Sequence, residues 1–221
     1  MFKKTSVSIF LAWFVLTAFA QDTVQHKAIH YVGVQANQLI RQLFSLSNAS
    51  SAINNPYLLT YSINSASTGS GVNFGLGYTF NESTDGDAFN ERKNKISDFF
   101  FRVGYEKKSN FGKHWVLSAG IDAVVDLQNN TTRTRSGSGQ GVPEVVTKNK
   151  NNGWGLGPRV TLNYTITDKM LLGTEVTYYF KSIKNTIEVS GAGAILNEET
   201  DESFKRFQLN VPAVLFLILK F

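Results

Sequence analysis

Residues 98–107 read Asp98-Phe99-Phe100-Phe101-Arg102-Val103-Gly104-Tyr105-Glu106-Lys107, and their alternation decides the fold. In an extended chain Phe99, Phe101, Val103 and Tyr105 share one face. Asp98, Phe100, Arg102, Gly104 and Glu106 share the other. The period is that of a β-strand with one apolar and one polar side.

Working outward, the same pattern returns. From 115, Trp115, Leu117, Ala119, Ile121, Ala123, Val125 and Leu127 oppose Ser118, Gly120, Asp122, Asp126 and Gln128. A third segment sets Trp154, Leu156, Val160, Leu162, Tyr164 and Ile166 against Gly155, Gly157, Arg159, Thr161 and Asn163. A fourth sets Met170, Leu172, Val176, Tyr178 and Phe180 against Gly173, Glu175, Thr177, Tyr179 and Lys181. Earlier, Val72, Phe74, Leu76, Tyr78 and Phe80 oppose Asn73, Gly75, Gly77, Thr79 and Asn81, and Tyr57, Leu59, Tyr61 and Ile63 oppose Thr60, Ser62 and Asn64. A less regular first strand covers about Ile29 to Phe44, its facing after Gln38 left open. A last one, about Phe204 to Phe221, aligns Phe207, Leu209, Val211, Ala213, Leu215, Leu217, Leu219 and Phe221. By the same parity Val214, Phe216 and Ile218 form an apolar floor on the opposite side.

Which face looks inward separates two all-β folds. A soluble sandwich buries the apolar face, whereas a membrane barrel turns it to lipid. Here the polar faces are rich in glycine, which makes room inside a narrow lumen for side chains as large as Arg102 and Tyr179. The apolar faces end in aromatics (Tyr105, Trp115, Trp154, Phe180, Phe221), as interfacial girdles do. The connections alternate strictly. Stretches 67–70, 108–114 and 167–169 read as tight turns; 45–56, 82–95, 129–153 and 184–203 read as long loops. Three short turns and four long loops fit an eight-stranded, antiparallel, up-and-down transmembrane β-barrel. A sandwich has no reason to alternate in this way.

The start of the chain agrees. Lys3 and Lys4 precede an apolar run from Val7 to Phe19 that closes in Ala18-Phe19-Ala20, the layout of a secretory signal peptide over residues 1–20. The run is shorter than the ~20 residues a helical span needs. The barrel domain is then 21–221. Without Lys3 and Lys4 the mature part holds 20 basic and 17 acidic residues. So mild a balance gives no reason to expect nucleic acid as a partner. There is no cysteine, hence no disulfide or thiolate site.

On these strands and the closing run Val214-Leu215-Phe216-Leu217-Ile218-Leu219-Lys220-Phe221, the chain resembles the small outer-membrane β-barrel proteins of the OmpX and OmpA-transmembrane type. It looks nearest to the "outer membrane protein β-barrel domain" families that include PorT-like proteins. The resemblance implies a Gram-negative outer membrane with both termini in the periplasm, and surrounding lipid and lipopolysaccharide. It also implies a terminal Phe221 read by the barrel-assembly machinery. It implies no particular activity.

Chemistry has few footholds. Enzymes on this scaffold need a histidine, or a serine beside a base, at the outer rim. His26, His30 and His114 fall at the opposite end, so no catalytic residue, metal or cofactor is expected. The inward charges are Asp98, Arg102, Glu106, Asp122, Asp126, Arg159, Glu175 and Lys181. A turn near residue 111 would set Arg102 opposite Asp122 and Asp98 opposite Asp126, with Arg159 diagonal to Glu175. Ionised groups in so narrow a space must be paired or solvated, which points to a salt-bridge plug. Asp98 with Asp126 as a cation site or acid–base pair is the alternative. Outside, Arg133, Arg135, Lys148 and Lys150 accompany Glu144 in one loop, and Glu188, Glu198, Glu199, Asp201 and Glu202 lie in another. These loops pair with each other, or the basic one holds lipopolysaccharide phosphates, or both are simply solvated.

Three roles fit this reading. The chain is a non-enzymatic barrel anchoring surface loops for adhesion, defence or envelope integrity; a narrow channel or route for small apolar molecules; or an accessory subunit of a larger outer-membrane secretion assembly with another membrane protein as partner.

Overall fold

In the computed structural model residues 27–36, 57–87, 90–137, 144–191, 197–210 and 214–221 are described. The leader, His26, the end of the first strand beyond Ala36, and Val211 and Ala213 lie outside them. The described residues form β1 (Ala28–Gln35), β2 (Tyr57–Ser65), β3 (Ser70–Gly86), β4 (Asn90–Phe111), β5 (Trp115–Ser136), β6 (Glu144–Thr167), β7 (Met170–Gly191), β8 (Asn197–Asn210) and β9 (Leu215–Lys220). Every pairing is antiparallel.

Neighbours in sequence are neighbours in space from β1 through β8, and β9 bridges β7 to β1. β8 lies along Thr177–Ser190 of β7 and β9 along Met170–Thr174. They occupy one position in the wall, one above the other, where a single last strand was expected. Eight wall positions therefore close into a ring. The seam is sealed by β1 against β9 and by reciprocal backbone bonds between His30 and Phe221, at 2.9 and 3.0 Å.

The wall is inside-out relative to a soluble protein. Phe74, Leu76, Phe99, Phe101, Leu117, Ile121, Leu156, Leu162 and Tyr178 are exposed, while Asn73, Asp98, Arg102, Asp122, Arg159, Glu175 and Lys181 are buried. The parity read from the sequence holds on the described parts of β2 through β9. Two girdles bound the apolar band. Tyr105, Trp115, Tyr164 and Phe221 stand at the end with the tight turns, and Phe80, Phe99, Trp154, Phe180 and Phe207 stand at the other.

The tight turns fall where expected, at 66–69, 112–114 and 168–169. Gly69 and Gly112 take φ of 70° and 74°, the left-handed region open to glycine, which lets these hairpins reverse. The outer connections differ from expectation. β4 and β5 run 22 residues each and pair from Phe111↔Trp115 to Asn90↔Ser136. About 9–11 tilted residues cross the hydrocarbon, so half of this hairpin stands beyond it. Most of 82–95, 129–153 and 184–203 is thus strand, not loop. The cause is simple: past the lipid both faces of a ladder meet water, so alternation disappears while the backbone pairing continues. β-branched residues in Thr131-Thr132-Arg133-Thr134 and Val145-Val146-Thr147 sustain it.

Candidate functional site: the charged plug of the lumen

The inward faces of β2 through β7 contribute polar groups to a single layer. Arg102 of β4 reaches three strands round the ring to Glu175 of β7. The fork is bidentate: Nη1 donates to Oε1 and Nη2 to Oε2, both at 2.9 Å. Below it Arg159 of β6 holds two carboxylates, donating from Nε to Asp122 at 2.9 Å and from Nη2 to Glu106 at 2.8 Å. The hydroxyl of Tyr179 (2.9 Å) and the amide of Asn73 (3.1 Å) also donate to Asp122. Glu106 further accepts from Asn64 at 3.2 Å and from Lys108 at 3.2 Å. Side chains from β2 through β7 are tied together in this layer.

The pairs are sealed from solvent. The side chains of Arg102 and Glu175 are 3% and 10% exposed, and those of Arg159, Glu106 and Asp122 are 4%, 2% and 0%. Charge-assisted, bidentate geometry is what offsets the desolvation of ions so placed. The wall is cut back to admit them. A Cβ at Gly75 would stand 2.7 Å from Cγ and Nε of Arg102, so any larger residue there collides with the guanidinium stem.

The eight residues expected to form the network all point inward, but their partners differ. The β4–β5 ladder sets Arg102 opposite Val124 and Asp122 opposite Gly104, two residues from the expected register. Arg102 therefore pairs with Glu175 and not with Asp122. Arg159 sits diagonal to Glu175 on the ladder, yet its guanidinium turns to Asp122 and Glu106. Asp98 faces Gln128, whose amide approaches it at 3.4 Å, and Asp126 faces Phe100 and takes an ion pair from Lys181 at 2.8 Å. The expected Asp98–Asp126 cross-strand pair is not formed. The register is set by a three-residue turn at 112–114, and a one-residue change in its centre moves every partner by two.

Sequence reading missed Lys108, placing it in a turn. It shares the inward parity of Arg102 and Glu106, and extending the alternation by one step would have found it. Its ammonium also lies 3.4 Å over the Tyr31 ring and donates to Ser62 at 2.7 Å. Beneath the plug is a chamber of about 50 Å³ floored by Val116, Leu171, Phe216 and Ile218. Phe216 and Ile218 were expected there; Val116 and Leu171 complete the floor. Above the plug a recess is lined by Asp126, Gln128, Asn151, Ile183, Phe204 and Arg206.

The described histidines belong to the lower rim. His30 bonds the Tyr61 hydroxyl at 2.9 Å and stacks on Phe221, while His114 packs against Tyr164. Among the described residues no three His, Asp or Glu side chains are grouped to hold a metal.

The basic residues assigned to an outer loop lie on strands. Arg133 and Arg135 belong to β5, and Lys148 and Lys150 to β6. The two outer stretches do meet, since Lys148 and Lys150 both pair with Glu188 of β7; within the first stretch Arg133 lies 3.6 Å from Glu144. Lys150 is the main cause holding the Glu188 carboxyl below its ordinary pKa, and Lys184 does the same for Asp201.

No protein-family model matches the chain, and no curated protein matches it. Two solved structures are similar. A major outer membrane protein from Thermus thermophilus aligns over 89% of this chain and 100% of its own, at 12% identity and a TM-score of 0.47. CarO from Acinetobacter baumannii aligns over 91% and 99%, at 10% identity and a TM-score of 0.38.

Proposed function

We propose that this chain is a non-enzymatic outer-membrane barrel, sealed by its own plug, that holds stiff β-hairpins above the membrane. The observation that carries the reading is the crossed layer of Arg102–Glu175 and Arg159–Asp122/Glu106, buried and spanning the lumen from β2 to β7. An eight-stranded ring leaves an interior that side chains can fill, and the apolar floor at Phe216 and Ile218 adds a second barrier. In this reading residues 1–20 direct export, the barrel-assembly machinery reads Phe221, and the termini and tight turns face the periplasm. The hairpins β4–β5 and β6–β7 then project outward as the surface that meets other molecules. Adhesion, defence or envelope integrity is the role such a surface serves.

Conductance tests this. Purified barrel in planar bilayers is expected to give no stable, ion-selective current. Reproducible single-channel steps that change size or selectivity in Arg102→Ala would replace the sealed barrel with a channel.

A further inference from the structure

Directly above the upper girdle, the outward faces of β4, β5 and β6 gather cations around one hydroxyl. Counting along each strand from the top of its continuous apolar face, Lys95 is four residues beyond Phe99, Thr131 four beyond Leu127, and Lys150 four beyond Trp154. Four residues are ~13 Å of strand, or about 10 Å of height at the usual tilt. In the ladder Lys95 stands opposite Thr131, and Thr131 opposite Lys148. One step higher, Lys93 stands opposite Arg133. Thr131 is thus ringed by Lys95, Lys148, Arg133 and Lys93.

This arrangement opposes itself. Like charges directly across a ladder are destabilising, and Lys93 and Arg133 are such a pair. Their carboxylates lie on the flanks, Glu91 at 3.2 Å and Glu144 at 3.6 Å, leaving both cations half exposed. Lys148 holds Glu188 only loosely, at 3.7 Å, while Lys150 holds the same carboxylate closely. Lys95 is the informative member. Glu82 stands opposite it in the β3–β4 ladder, yet the ammonium swings away and rests 5.1 Å from the centroid of the Phe80 ring. Phe80 belongs to the girdle, so this amine lies at the boundary of the hydrocarbon, where lipid phosphates sit.

We propose that Lys95, Arg133 and Lys148, around Thr131, form a binding site for the phosphate of a phosphorylated glycolipid in the outer leaflet. The occupant follows from height and sign: an anion just above the girdle, at the level of the lipid headgroups, approached from the lipid side. The inference rests on the membrane placement above but not on a closed lumen.

The probe is lipid A, with its dephosphorylated counterpart as control, mixed with the detergent-folded full chain and read as co-retained lipid by native mass spectrometry. Wild type is expected to retain the phosphorylated form preferentially. Lys95→Gln/Arg133→Gln/Lys148→Gln should lower that retention roughly tenfold or more, since each cation near an anionic surface adds to attraction. Lys113→Gln/Lys169→Gln, at the opposite rim, should leave it unchanged. Heat-modifiable gel mobility checks folding, and the single exposed change Lys95→Gln should give an intermediate loss. Equal retention of both lipids, or full retention by the triple variant, would overturn the site. A silent bilayer with no lipid discrimination would remove the site while leaving the sealed barrel intact.

Discussion

Replacing Arg102 by alanine tests the plug at its bidentate ion pair. The change removes a bidentate fork with both bonds at 2.9 Å and leaves Glu175 charged in a layer that is nearly closed to solvent. Stranding one partner of a buried pair costs about 3–5 kcal/mol. The double change Arg102→Ala/Glu175→Gln removes the stranded charge as well, so it should cost less than the sum of its singles by about 1–3 kcal/mol. Urea unfolding in detergent, followed through Trp115 and Trp154 on the wall, gives all four corners of the cycle. A parallel cycle of Arg102 with Asp122 should show the smaller coupling, because Asp122 is held by Arg159, Tyr179 and Asn73 instead. Strict additivity for Arg102 and Glu175, or a larger coupling with Asp122, would refute the crossed arrangement.

Deleting Phe221 should reduce the folded fraction recovered from membranes, since it removes the reciprocal backbone bonds with His30 and the ring stacked on it. Two hydrogen bonds and an aromatic pair together are worth roughly 2–4 kcal/mol; an unchanged yield of heat-modifiable barrel would count against this seam. Acidification should loosen the pairing of β7 with β6 and with β8 beyond the membrane. Glu188 and Asp201 are held below their ordinary pKa values, chiefly by hydrogen bonds from Lys150 and Lys184. A depressed carboxylate contributes stability above its unfolded pKa and loses it as pH falls through the lower folded value. The contribution is therefore full at neutral pH and fades below ~4. Carboxyl titration by carbon NMR should place both midpoints below those of unpaired side chains, and midpoints at ordinary values would remove these ion pairs from consideration.

The inverted distribution of residues explains why the core is ionic. In lipid the apolar faces have no water to leave by packing inward, so outward Phe, Leu and Val are already in their preferred solvent. The inward face is then free to carry polar groups, provided each finds a partner. Cross-linking six strands through Arg159, Asp122, Glu106 and Arg102 supplies partners for the buried charges and ties the ring together. Glycines such as Gly75 supply the space that an apolar core would obtain from small side chains.

The sequence alone determined the all-β class, the inside-out facing, the three tight turns and the inward set Asp98, Arg102, Glu106, Asp122, Asp126, Arg159, Glu175 and Lys181. These follow from a period of two, which is local and survives without any knowledge of neighbours. Strand length beyond the membrane was not legible, because a ladder with water on both sides has no alternation to read; Arg133, Arg135, Lys148 and Lys150 therefore read as loop residues. Ion-pair partners were not legible either. They depend on register, which the 112–114 turn shifts by two, and on reach across the lumen. Nothing in the spacing of Arg102 and Glu175 shows that β4 and β7 bring them face to face. Only ring closure does, because a closed lumen turns residues far apart in sequence into neighbours with no other partner available.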